Sequence, residues 1–190
     1  TISRAKEYCA TFYCTIAQLA LEMLLDGTLD QLDGIITPTI CDTLRPMSQN
    51  FRVAMEGKLP CIFLAHPQNR KPAFGLQFTV DQYMHVKSEL EKISGNTITD
   101  EALREAIKVM NRSRKARREF VKLAGQHPEA ISAVERSAVL RSAWFMEPAV
   151  HAQKLEELNE ELSKLPASNW KGRKVVTSGI ICDNPKLLSI

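Results

Sequence analysis

What the sequence lacks narrows its class before any motif is read. There is no CxxC pair, and Cys9, Cys14, Cys41, Cys61 and Cys182 form an odd set without compact spacing. That excludes a secreted disulfide framework and a structural zinc site built on paired cysteines. No apolar run approaches the roughly 20 residues needed to cross a bilayer, and no basic-then-apolar leader opens the chain. A cytoplasmic protein is expected. A nucleophile elbow, a phosphate loop, a dinucleotide fingerprint and an HExxH pattern are all absent, which removes the common hydrolase and cofactor signatures. The net charge of +3, on a background of 25% charged residues, is too small to argue for nucleic acid or a membrane surface as partner. The first residue is Thr1 rather than Met, and Ile190 follows directly on an apparent strand. A piece of a longer polypeptide is therefore expected.

What is present reads as α/β: a parallel sheet flanked by helices, helix-rich, and a fragment of a two-lobed subunit. The stretch that organises the chain is Ile35-Ile36-Thr37-Pro38-Thr39-Ile40-Cys41-Asp42-Thr43-Leu44-Arg45-Pro46. Its apolar run predicts a buried strand over Gly34–Thr39 that delivers Cys41 to a helix entrance. Carboxyl ends of parallel strands form the crevice where ligands bind, and helix entrances stabilise a thiolate through free amides and the positive dipole end.

Upstream, Phe12, Ile16, Leu19, Ala20, Met23 and Leu24 recur at helical spacing and predict a helix from Thr11 to Asp26, stopped by Gly27. Cys14 lies near its start. Downstream of Cys41, Asp42 or Thr43 is placed to cap a helix running to about Glu56, with Pro46 in the first turn where a missing amide costs little. Cys61-Ile62-Phe63-Leu64-Ala65 predicts a second buried strand, so strand, helix and strand make one βαβ unit. Helices are then predicted over Ala73–Lys92, from the Thr99 cap to Gly125, from His127 to Trp144, and from Glu147 to Leu165. Lys174–Ile181 reads as a last strand, and Cys182-Asp183 repeats the Cys-Asp step that follows the first strand. Residues 1–168 are read as an N-terminal α/β lobe with a long helical segment, its first strand missing. Residues 169–190 are read as the first strand of, or the connection to, a second α/β lobe.

Cys14 and Cys41 are the candidate reactive or metal-ligating thiols, since both sit at helix entrances; an iron-sulfur cluster and a redox thiol both fit. Against this, a free Cys is commonly a small buried hydrophobe. Cys61 opens an apolar strand and reads as core, and Cys9 lies in a start expected to fray. His66, Asn69, Arg70 and Lys71 occupy a polar loop at a strand's carboxyl end, where the two cations suit phosphates, and Arg45 just past Cys41 suits an acidic or phosphate group. The duller reading of that loop is a solvated connection. Arg112, Arg114, Lys115, Arg117 and Arg118 read as the exposed face of a helix.

The motifs LLDGTLDQLDG (Leu24–Gly34), CDTLRPMSQNF (Cys41–Phe51), HPQNRK (His66–Lys71), ITDEALREAI (Ile98–Ile107) and SGIICDNP (Ser178–Pro185), with Tyr13-Cys14 before them, resemble the benzoyl-CoA reductase and 2-hydroxyacyl-CoA dehydratase family in order and over nearly the whole chain. The resemblance implies two related subunits, each binding a [4Fe-4S] cluster through three cysteines. Cys14 and Cys41 match the first two ligand positions, and the third lies beyond Ile190. An ATP-hydrolysing iron-sulfur activator is implied as electron donor, with an acyl-CoA thioester as acceptor. A ketyl radical then permits loss of a 2-hydroxyl as water or reduction of an aromatic ring. Thr39, Asp42 and Thr43 are expected to orient or hydrogen-bond the cluster sulfurs. The rival readings are a non-catalytic paralogous subunit that relays electrons or serves as a structural partner, and a plain thiol-redox or ligand-binding α/β domain. The isolated fragment is expected to be inactive and, handled in air, to lack its cluster.

Overall fold

The structure, a computed structural model, describes residues 1–173, 175 and 184–189. The strand predicted over Lys174–Ile181 therefore lies outside the described residues except for Val175, as does Cys182. Two compact units divide the chain, Thr1–Ile98 and Thr99–Ile190. Their boundary falls inside the stretch that the sequence reading treats as a single lobe.

The first unit is built on a two-stranded parallel sheet, β1 (Ile35–Pro38) and β2 (Cys61–Leu64), with Ile35 opposite Cys61 and Pro38 opposite Leu64. The connection between them is α2 (Leu44–Ala54), so the predicted βαβ unit is present. Helix α2 packs on both strands, α1 (Thr15–Leu25) packs on α2, and α3 (Ala73–Ser94) packs on β2. The core joins Ala17, Leu21 and Leu24 of α1 to Met47, Phe51 and Ala54 of α2, with Leu21 and Met47 wholly out of solvent. The first strand is less buried than its apolar run predicts. Only Thr37 is buried and Ile36 is 44% exposed, because a sheet of two strands leaves edges open and one face incompletely covered within this unit.

Helix α1 begins at Thr15, four residues later than predicted, with Cys14 in the N-cap position. It also turns a different side inward. Ala17, Gln18, Leu21, Glu22 and Leu24 are buried, whereas Phe12, Ile16 and Leu19 face solvent. Apolar residues ring this helix, so periodicity alone does not choose a face; two polar anchors do. Glu22 accepts hydrogen bonds from the amides of Ser3 (3.0 Å), Arg4 (3.2 Å) and Ala5 (2.8 Å) and from the Ser3 hydroxyl (3.1 Å). These donors hold its carboxyl below the ordinary carboxylate range, the Ala5 amide most strongly and against the opposing effect of desolvation. They also fasten a 3-10 turn at Arg4–Glu7, which buries Cys9 in the core rather than leaving it in a frayed end. Gly27 follows the C-cap Asp26 with φ +90°, the left-handed conformation that a helix stop of this kind requires.

The second unit is helical. Thr99 caps α4 (Asp100–Gln126) as predicted, its hydroxyl accepting from the Ala102 amide at 3.2 Å. Helix α5 (Ala133–Ser142) starts six residues after His127, where the sequence reading begins it. His127 instead ends α4, its carbonyl accepting from Ala130 and Ile131, and a capping box between Ser132 and Glu135 sets the true start. Glu147 caps α6 (Pro148–Ser163) through the amides of Ala149 and Val150. Asn159 donates to the Ala116 carbonyl at 2.9 Å and Glu156 pairs with Arg112, so α4 and α6 advance side by side in the same direction. Phe120, Leu123, Ala124, Leu155 and Leu162 form their shared core. A single turn, α7 (Pro185–Leu188), ends the described chain. Among the described residues no helix is long and apolar enough to cross a membrane.

Candidate functional site

The parallel strands point their carboxyl ends at one crevice, as the βαβ reading requires. Thr39 beyond β1 and Ala65, His66 and Pro67 beyond β2 form its floor, with Phe63 of β2. Arg45, Pro46 and Gln49 come from the first turns of α2, and Phe74, Gly75 and Phe78 from the first turns of α3. The cleft holds about 950 Å³, ample for part of a large ligand. Its lining is mainly apolar and aromatic, with Arg45 as its cation.

Two hydrogen bonds hold the strand ends together. The Thr39 amide donates to the Leu64 carbonyl at 3.0 Å, and the Thr39 hydroxyl accepts from the His66 amide at 2.7 Å. The His66 ring lies edge-on to Tyr83, with centroids 6.3 Å apart. Gln82 of α3 accepts from the Ala65 amide at 3.2 Å, so α3 grips the last residues of the strand.

Of the five residues expected from sequence to contact substrate, Arg45, His66 and Asn69 line this crevice. Arg70 lines an adjoining smaller recess with Thr39, Ile40, His66, Pro67 and Gln68, and Lys71 lines neither. Gly75 was missed by sequence reasoning. A Cβ there would strike the carbonyl oxygen of Asn69, with the Cα of Arg70 at 3.3 Å, so glycine is what lets α3 press against the His66–Lys71 loop. Its only sequence signal is a glycine placed just inside a helix start after Pro72.

Cys41 lies just beyond Ile40 of the smaller recess and is exposed, as is Cys14. The Cys41 sulfur accepts from the Leu44 amide at 3.4 Å, the i to i+3 bond a capping Ser would make. Thr43 occupies the cap position without a side-chain bond, and the Thr39 hydroxyl is directed to His66 instead. Cys14 is fixed from behind by Gln18, whose side-chain amide donates to the carbonyls of Thr11 (3.2 Å) and Tyr13 (2.6 Å). Gln18 also went unread in the sequence; a polar residue one helical turn before Glu22 was the available sign. Burial pushes the thiols of Cys9 and Cys61 up, with Arg52 opposing the rise at Cys61.

The whole chain, residues 1–190, matches the family described as 2-hydroxyglutaryl-CoA dehydratase, D-component. The chain belongs to this family. It is 63% identical to the beta subunit of (R)-2-hydroxyglutaryl-CoA dehydratase from Acidaminococcus fermentans, over 97% of this chain and 49% of that protein. It is 39% identical to the beta subunit of (R)-phenyllactyl-CoA dehydratase from Clostridium sporogenes, over 100% of this chain and 50% of that protein. With a benzoyl-CoA reductase subunit from Thauera aromatica it shares 28% identity, over 93% of this chain and 46% of that protein. The chain thus spans about half the length of the curated relatives it matches. The motif resemblance to the dehydratase and reductase family holds, and the relatives matched are named as subunits of acyl-CoA dehydratases and of a benzoyl-CoA reductase.

An iron-sulfur cluster is the group this dehydratase family implies. Cys14 and Cys41 suit it in donor chemistry, each a solvent-facing thiol at a helix entrance and one already accepting an amide hydrogen bond. Among the described residues no group of three or more His, Cys, Asp or Glu is gathered to hold a metal ion. Neither Cys14 nor Cys41 is among the residues lining the crevice or the recess beside it.

Proposed function

We propose that this chain is part of a β-type subunit of an acyl-CoA dehydratase or reductase, in which Cys14 and Cys41 supply two thiolates to a [4Fe-4S] cluster. The observation that carries the reading is the crevice at the strand ends, lined by Arg45, His66 and Asn69 and reached by the chain just before Cys41. The third thiolate comes from polypeptide beyond Ile190, consistent with a chain that covers about half of its relatives. In this reading residues 169–190 lead into that second lobe.

When bound, such a cluster accepts and donates single electrons at low potential. The chain's own residues do the rest. The Leu44 amide donates to the Cys41 sulfur at the entrance of α2 and so fixes the direction in which that side chain is held. Phe63, Phe74 and Phe78 exclude water from the apolar part of a thioester in the crevice, while Arg45 and, from the neighbouring recess, Arg70 take anionic groups of the ligand. The reaction served is a one-electron reduction of an acyl-CoA thioester, driven by an ATP-dependent iron-sulfur activator and shared with a related second subunit. The outcome is dehydration of a 2-hydroxyacyl group or reduction of an aromatic ring.

Anaerobic reconstitution of the full-length chain with iron and sulfide tests this. A [4Fe-4S] absorption and electron paramagnetic resonance signal is expected, lost in Cys14→Ala and in Cys41→Ala. Retention of the full signal in either variant removes that cysteine from the ligand set. A signal perturbed by acyl-CoA identifies a substrate-binding subunit, whereas an unperturbed one favours an electron relay or a structural partner.

A further inference from the structure

The basic stretch Arg112–Arg118 places five cations in seven residues of α4, and only part of that charge is answered among the described residues. Arg112 is answered: its guanidinium holds both carboxylate oxygens of Glu156. Arg114, Arg117 and Arg118 are not. Their spacing of i, i+3 and i+4 sets them on one helix face, and together with Val121 and Leu140 of α5 they line a separate surface pocket of about 390 Å³. None of the three lies within ion-pair distance of a carboxylate among the described residues. Glu119, the nearest acid along α4, pairs with Lys122 at 3.5 Å. Arg114 donates to the neutral side chain of Asn111 at 3.1 Å, and Nε of Arg117 is buried without an acceptor.

Like charges at these spacings oppose the helix that carries them, and a buried donor without a partner costs further stability. A ligand with several anionic oxygens offsets the charge term, and planar guanidinium forks match phosphate geometry. We propose that this pocket binds a diphosphate-bearing small molecule, with the phosphate oxygens on Arg114, Arg117 and Arg118 and the attached group over Val121 and Leu140. Three guanidiniums call for more charge than one carboxylate carries, and Val121 and Leu140 offer an apolar surface to the group attached to the phosphates. The site belongs to the helical unit alone and stands or falls independently of the cluster reading.

Isothermal titration of the intact chain with inorganic pyrophosphate and with ADP tests it. Saturable 1:1 binding is expected, tighter for ADP because of the apolar floor, and weakened at least about tenfold in Arg114→Gln/Arg118→Gln. Arg117 is left in place because it is half-buried. Lys108→Gln/Lys122→Gln removes the same charge from α4 outside the pocket and is expected to bind as the parent does. Absence of saturable binding, or equal weakening in both double variants, overturns the proposal. So does displacement of pyrophosphate by an acidic peptide that binds more tightly, which would assign the face to a protein partner. Unchanged circular dichroism of the arginine variant confirms that α4 is intact.

Discussion

A methyl group on residue 75 would collide with the carbonyl oxygen of Asn69, and the neighbouring Arg70 backbone leaves little room for relief. Gly75→Ala is therefore expected to destabilise the first unit by about 1–3 kcal/mol, the usual range for overpacking. Thermal melts give the size of the loss, and a shift of the His66 ring resonance shows whether the crevice loop has moved. Glu22 makes a pH-dependent contribution whose sign is fixed by its environment. Its carboxyl sits below the ordinary range because four donors bind the ionised form, so the stabilisation is complete above the unfolded value, roughly pH 4.3, and is lost as pH falls through the lower folded value. Acid titration of the parent should release the Arg4–Glu7 turn in that window. Glu22→Gln should flatten the dependence there, as followed by amide exchange of Ala5 and Cys9.

Among the elements, α5 relies most visibly on its cap. Ser132 accepts from the Glu135 amide at 3.2 Å while the Glu135 carboxylate accepts from the Ser132 amide at 2.8 Å. Ser132→Ala is expected to cost about 1 kcal/mol and to speed amide exchange in the first turn of α5. The S-x-x-E signature for this start stands in the sequence at Ser132–Glu135, while Pro128 imitates a first-turn proline and draws the predicted start back to His127. Strands and helices were legible wherever breakers and periodicity agreed, as at Thr99, Gly27 and Pro46. Faces were not. On α1 both sides are apolar, and the choice was made by Gln18 and Glu22, polar residues that an apolar pattern passes over. In the same way the crevice loop was legible from its position after β2. The glycine that lets α3 reach it was not, since close approach of two backbones leaves no mark beyond one small residue.

At the scale of the whole molecule, each unit has its own core: Leu21, Met47 and Phe51 in one, Phe120, Leu123 and Leu155 in the other. Phe120→Ala empties a fully buried position and is expected to cost about 3–5 kcal/mol. Hydrogen exchange should report that loss at Ala116 and Leu155 while leaving Leu21 and Met47 protected. The four cysteines of the first unit divide into a covered pair and an open pair. Cys9 is sealed in and Cys61 half so, with burial disfavouring their thiolates, whereas Cys14 and Cys41 stand open to solvent. An alkylating dye or dissolved oxygen will therefore find the helix-entrance pair first. The same openness that would admit iron and sulfide leaves those two sulfurs the first casualties of aerobic handling.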